Sequence, residues 1–167
     1  MIKMVSMLKD LMYKNNCYSI GIRERKTKDC LFEGNVSPFS VMPISAEEWY
    51  ADPIVFSRNG VDYLFCEVYD RKADTGSIGY TILDSTTPKR PQIVLKTDSH
   101  LSYPCVFEKN DCIYMIPETT TQKDIELYKA VDFPGKWEFF CLLKNGGEYA
   151  DSTVFIDDEH QILLTFE

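Results

Sequence analysis

Residues 49–56, Trp49-Tyr50-Ala51-Asp52-Pro53-Ile54-Val55-Phe56 (WYADPIVF), place an acid at the mouth of an apolar run that the turn Ser57-Arg58-Asn59-Gly60 closes. The phrase returns as Tyr103-Pro104-Cys105-Val106-Phe107 and as Asp151-Ser152-Thr153-Val154-Phe155, 51 residues after Asp52 and 48 after Tyr103. Polar turns follow these copies at 108–111 and 157–160. The three turns lead into second apolar runs: DYLFCEV, CIYMIPE and QILLTFE. Short apolar runs bounded by turn residues read as strands, and a fixed period near 50 residues marks a repeat architecture.

Two more strand-like segments separate the first hairpin from the second: SIGYTI at 77–82 and PQIVL at 91–95. One repeat later come IELYKA at 125–130 and WEFFC at 137–141, with Gly, Pro, Asp and Ser in the gaps. Four short strands in about 50 residues are one β-propeller blade. The expected fold class is therefore all-β: part of a five-bladed propeller of four-stranded blades, preceded by a short N-terminal helix. Met4, Leu8, Leu11 and Met12 would share one face of that helix, and Lys9 and Asp10 break the apolar core a secretory signal needs.

The expected boundaries follow. Residues 1–16 form the helical segment, and 17–167 an incomplete propeller. Ser19-Ile20-Gly21-Ile22 echoes Ser77-Ile78-Gly79-Tyr80, so 17–45 reads as the two outer strands of a closing blade. One blade spans 50–98, a second 101–145, and a partial blade 149–167. A ring of five needs about 240 residues. The expectation is a fragment of a longer chain, or a chain whose open edges another chain meets. Uncovered inter-blade surface would make it poorly soluble in isolation.

The composition, 167 residues with 44% hydrophobic and 13% aromatic, supports a packed core. A net charge of −8 argues against nucleic acid and anionic membrane surfaces as partners. No stretch approaches the roughly 18 apolar residues of a membrane span. The six cysteines, Cys17, Cys30, Cys66, Cys105, Cys112 and Cys141, form no C-x-x-C pair, and two histidines without a cluster make no zinc site. Cys66, Cys105 and Cys141 read as buried thiols, and the compartment as reducing and cytoplasmic. No cofactor or metal motif is present; Ca²⁺ held by carboxylates and water at a channel mouth stays open.

With Phe56 facing Tyr63 and Phe107 facing Tyr114, Asp52 falls opposite Glu67 and Tyr103 opposite Glu118. Asp151 falls near Phe166 and Glu167. These groups share one end of successive inner strands, which line a propeller's channel. Like charges and desolvation raise carboxyl pKa values, and a protonated acid beside an ionised one is what glycosidic cleavage uses. Asp before Pro is also ordinary turn chemistry. Recurrence of acids at matching places in different repeats is what points to a site. The candidates are Asp52, Glu118 and Asp151 as catalytic groups and Trp49, Glu67, His100 and Tyr103 as substrate-binding groups. His100 could donate to a sugar hydroxyl, and could equally be a satisfied loop residue. His160 lies at the opposite end. Trp49, Tyr50 and Tyr103 offer ring faces to a pyranose. Phe56, Phe107 and Phe155 read as core, and Trp137 as packing between blades.

ADPIVF with YLFCE, HLSYPCVF with YMIPE, LYKAVDFPGKW and DSTVF together resemble the propeller found N-terminally in plant glucosamine inositolphosphorylceramide transferases, from about Ile20 onward. The resemblance implies a carbohydrate-recognising domain, with a carbohydrate or glycoconjugate as partner and a transferase module in the same longer chain. More distantly the repeats are similar to the five-bladed propellers of glycoside hydrolase families 43 and 32. In family 43 a first-blade Asp is the base, a second-blade Asp tunes pKa, and a third-blade Glu is the acid. Asp52 matches the base. Tyr103 stands where the second Asp belongs and Asp151 where the Glu belongs, so two of three positions depart from the pattern. Three functions remain: a sugar-binding accessory domain, a glycoside hydrolase with Glu118 or Asp151 as acid, and a protein-interaction propeller.

Overall fold

The computed structural model describes residues 17–23, 38–84, 89–119, 124–157 and, as backbone, 161–165. The expected N-terminal helix, Cys30, His160, Phe166 and Glu167 lie outside the described residues. Within them every regular element is a strand: β1 (Gly21–Ile22), β2 (Ser40–Val41), β3 (Glu48–Arg58), β4 (Val61–Asp70), β5 (Thr75–Ile82), β6 (Gln92–Leu95), β7 (Leu101–Lys109), β8 (Cys112–Thr119), β9 (Ile125–Asp132), β10 (Lys136–Lys144), β11 (Thr153–Asp157) and β12 (Gln161–Thr165).

Strands β3-β4-β5-β6 form one antiparallel four-stranded meander and β7-β8-β9-β10 a second; β1-β2 and β11-β12 are two-stranded. The all-β, partial-propeller expectation therefore holds. The inner hairpins are set by their turns. Asn59 and Gly60 have φ of 51° and 76°, and Asn110 and Asp111 have 51° and 60°. Positive φ at both central residues is the type I′ turn that matches strand twist. It fixes Phe56 against Tyr63 and Phe107 against Tyr114, as the repeat implied.

Apolar packing runs between the sheets. Leu64 to Val68 of β4 are all buried, because a blade has a neighbour on each face. On one side, Phe65, Ile78 and Leu95 pack with Leu101, Val106, Met115, Tyr128 and Trp137 of the second blade. On the other, Tyr50, Leu64, Cys66 and Val68 pack with Ile20 and Met42. The DFPGKW segment explains itself here. Phe133 reaches back to Tyr63, with ring centroids 4.8 Å apart, and Trp137 meets Phe65 edge-on at 5.9 Å. The Trp137 indole N–H donates to the Pro134 carbonyl at 2.8 Å, which fixes the ring. Trp137 thus packs between blades, as its position suggested.

Two readings need correction. Phe155 is not core: it is 61% exposed, because no described sheet covers that face of the third hairpin. Cys141 is only partly buried, whereas Cys66 and Cys105 are buried. Phe139 and Phe140 on β10 are also exposed.

Candidate functional site

The site begins with a repeated backbone irregularity. Asp52, Tyr103 and Asp151 have φ of 50°, 42° and 52°. Non-glycine residues adopt this left-handed region at a cost of about 1–2 kcal/mol each. Its return at the equivalent place of three successive repeats shows that the strain belongs to the repeat. Pro53 and Pro104 follow the first two residues. Proline has no N–H for the ladder, so the chain bulges there. Pairing steps from Ala51↔Glu67 to Ile54↔Phe65, and from Ser102↔Glu118 to Cys105↔Ile116. The expected pairs Asp52–Glu67 and Tyr103–Glu118 are therefore wrong by one residue. Ala51 and Ser102 occupy those places, and the bulge re-aims Asp52 and Tyr103.

Bulging frees an amide, and the preceding blade satisfies it. The Tyr103 N–H donates to Asp52 Oδ2 at 3.3 Å, and the Asp151 N–H donates to Glu118 Oε2 at 3.2 Å. Asp52 and Glu118 thus connect neighbouring blades. The Tyr103 hydroxyl lies 3.2 Å from Thr153 Oγ1, extending the chain of polar contacts to the third hairpin.

Glu67 lies deeper, on β4, and is 4% exposed. Its Oε1 is buried with no hydrogen-bond partner. Burial, and then the charges of Asp52 and Glu118, push its carboxyl up to about 8. Glu118 is also raised, first by burial; the Asp151 N–H opposes this, and the charges of Asp151 and Asp52 add to it. His100 Nδ1 accepts the Gly76 N–H at 2.9 Å, so the proton of the neutral ring sits on Nε2. That nitrogen lies 3.3 Å from Glu67 Oε1, out of line for a hydrogen bond. Burial holds the His100 pKa below its usual value, against the charges of Asp52 and Asp74.

Glycine is required where these groups meet. A Cβ on Gly76 would lie 2.5 Å from the Leu101 carbonyl oxygen and 2.6 Å from Glu67 Oε1. Gly76→Ala should therefore cost about 1–3 kcal/mol by overpacking, seen as a lower urea midpoint. It should also move the His100 ring signals in NMR spectra.

A cleft of about 500 Å³ opens between Tyr18–Gly21 and β3, and Trp49, Tyr50, Asp52 and Glu67 line it. The Trp49 ring stacks on Tyr69, with centroids 4.3 Å apart and planes 11° apart, and Tyr18 tilts against it at 5.2 Å. One Trp49 face is thus committed to Tyr69, and Tyr18 is the exposed ring. Tyr69 donates its hydroxyl to Asp74 at 2.6 Å and meets the His100 edge at 5.9 Å. The structure brings Trp49, Asp52 and Glu67 to one cleft, with His100 behind Glu67. Tyr103 and Asp151 follow along the bulge line rather than inside the cleft. The sequence reading missed Gly76, Tyr69 and Tyr18. Gly76 looks like any turn glycine in ADTGS, and the two tyrosines carry no local signal. Among the described residues no three His, Cys, Asp or Glu side chains converge as metal ligands.

An alpha-L-arabinofuranosidase from Lactobacillus brevis shares the fold, with a TM-score of 0.60 and 9% identity over 77% of this chain and 49% of that one. The glucosamine inositolphosphorylceramide transferase 1 proteins of Arabidopsis thaliana and Oryza sativa subsp. indica are similar in sequence. The first is 37% identical over 90 residues and the second 35% over 89. These segments cover 53% and 52% of this chain but only 12% of either relative. The family model "Glucosamine inositolphosphorylceramide transferase 1, N-terminal" matches residues 31–165, so the bulged repeats, the acids they carry and the cleft beside them belong to a member of that N-terminal domain family.

Proposed function

We propose that this chain is part of a five-bladed propeller that binds carbohydrate and serves a glycosyltransferase module in a longer protein. The recurrence of the left-handed conformation at Asp52, Tyr103 and Asp151, the equivalent place of three successive repeats, carries this reading. Strain kept at one functional-looking place in every repeat points to side-chain placement there. Carboxylates there would accept hydrogen bonds from sugar hydroxyls, and Tyr18 offers a ring face. The test is a glycan panel read by calorimetry. Wild type should bind, and Glu118→Gln should weaken binding about tenfold, the loss of one charge-assisted bond. No binding across the panel would sink the reading in favour of a protein-interaction propeller.

A second reading has its own support. Glu67, with its carboxyl held at about 8, stands in the same cleft as Asp52, a protonated acid near a second carboxylate. A hydrolase would turn over an aryl glycoside, and Asp52→Asn would abolish turnover while leaving binding. Absence of turnover in wild type removes this reading.

A further inference from the structure

We propose that residues 3–12 of this chain add to the edge of β1 as an inner strand of the same blade, seated in the cleft beside β3, and that Lys9 meets Asp52 there. The proposal is independent of the carbohydrate reading.

The repeat supplies the register. Gly21 pairs with Val41 and Ile22 with Ser40, as Gly79 pairs with Ile93 and Tyr80 with Gln92. The β1-β2 pair is thus the structural counterpart of β5-β6, with Ser19 standing 58 residues before Ser77. Among the described residues β1 pairs only with β2, and its other edge is the one that a second strand can join. In the first blade that strand is β4, which pairs with β5 from Asp70↔Thr75 to Tyr63↔Ile82. The same offset maps β4 onto residues 3–12, which lie outside the described residues. It maps the connecting turn Arg71-Lys72-Ala73-Asp74 onto Tyr13-Lys14-Asn15-Asn16. Asp74 has a φ of 56°, and Asn16, at its place, is a residue type that accepts that conformation. Met7 then falls opposite Ile22, Leu8 opposite Gly21 and Lys9 opposite Ile20.

The faces and the charge agree with that register. Side chains alternate along a strand. Val5, Met7, Lys9 and Leu11 take the places of Tyr63, Phe65, Glu67 and Tyr69. Phe65 is on the face that the first blade turns toward the second, so this set would face β3 and β4. An apolar cover fits there: Val55 is 55% exposed, whereas Val106, at its place in the second blade, is 9% exposed under the first blade. Tyr50 and Asp52 line the cleft on that side. Lys9 stands where Glu118 stands in the second blade. Glu118 accepts the N–H of Asp151, just before β11, at 3.2 Å and feels the Asp151 charge. One repeat step earlier, the counterpart of Asp151 is Asp52. Lys9 therefore brings a positive charge to an acid that adds to the repulsion on Glu67 and Glu118. Asp10 takes the opposite face. This strand replaces the helix expected from the apolar spacing, and it gives Lys9 an acid to meet.

The test uses the whole chain. Hydrogen exchange read by mass spectrometry should show the amides of residues 5–9 slowed about tenfold or more in wild type, as in a paired strand. Met7→Cys with Ile22→Cys should form a disulfide under mild oxidation, because directly opposed Cβ atoms lie about 4.5–5.5 Å apart and need only a small shift. Peptide mapping separates that bond from pairs made by the native cysteines. Ser6→Cys with Ile22→Cys should cross-link poorly, since a slip of one residue turns the side chain to the other face. Lys9→Glu should speed exchange of the segment about tenfold, and Asp52→Asn in the same chain should reverse most of that change. Fast exchange at residues 5–9 in wild type overturns the proposal and needs no variant to fold. Slow exchange with equal cross-linking of the two cysteine pairs overturns it in favour of a packed helix. Exchange that Lys9→Glu leaves unchanged overturns the pairing with Asp52. No readout involves a sugar, so the glycan panel decides the carbohydrate reading separately.

Discussion

Glutamine in place of Glu67 should raise the melting temperature at pH 8, while the variant and wild type should melt together near pH 4. The folded-state pKa of Glu67 is about 8, against an ordinary 4.5. Between those values the folded protein holds a proton that the unfolded chain has lost. Stability therefore falls as pH rises through this window, and the loss is complete above the folded pKa. Each unit of pKa is worth about 1.4 kcal/mol, so the full loss is about 3–5 kcal/mol. Glutamine has nothing to ionise and escapes it. For a chain of this size that is roughly 10 °C in melting temperature. Melting both proteins from pH 4 to pH 9 checks the sign directly: a gap that stays flat, or that favours wild type at pH 8, would mean that Glu67 ionises normally. A stabilising substitution at this site would mark the buried acid as a cost to folding.

Phe65→Ala should have the opposite consequence, a loss of about 3–5 kcal/mol at all pH values. Phe65 is completely buried. It touches Phe133 and Trp137 of the second blade, with ring centroids 6.1 and 5.9 Å away. Its removal leaves a cavity at the seam between two blades, where rigid sheets cannot collapse inward. The urea midpoint should drop sharply. Phe140→Ala, on an exposed face of β10, should change stability by less than about 0.5 kcal/mol. Equal effects of the two substitutions would show that the inter-blade seam contributes no more than an open surface.

The strands and hairpins were legible because they depend on local chemistry. Asn59-Gly60 and Asn110-Asp111 carry residues that tolerate positive φ, and they set both inner-hairpin turns. The apolar run at 64–68 could be recognised as a central strand for the same local reason. The prolines at 53 and 104 were visible too, but their consequence was not read from them. A ladder extended from Phe56↔Tyr63 through Pro53 puts Asp52 opposite Glu67; the structure puts Ala51 there. Attention to the missing N–H would have anticipated the bulge.

What the sequence alone determined was the period: four strands in about 50 residues, their turns, and acids returning at one end of each inner hairpin. Those features rest on neighbours in the chain, so they survive without knowing how sheets face one another. Only the tertiary structure decided which acid is buried and what opposes it. Asp52 and Glu118 each hold an amide of the next blade. Glu67 Oε1 is left without a hydrogen bond beneath them, and His100 is turned by a glycine 24 residues away. Phe155, with the same local pattern as Phe107, lies exposed where Phe107 is buried. Burial and pKa depend on distance in space, and a repeat fixes distance only within one blade.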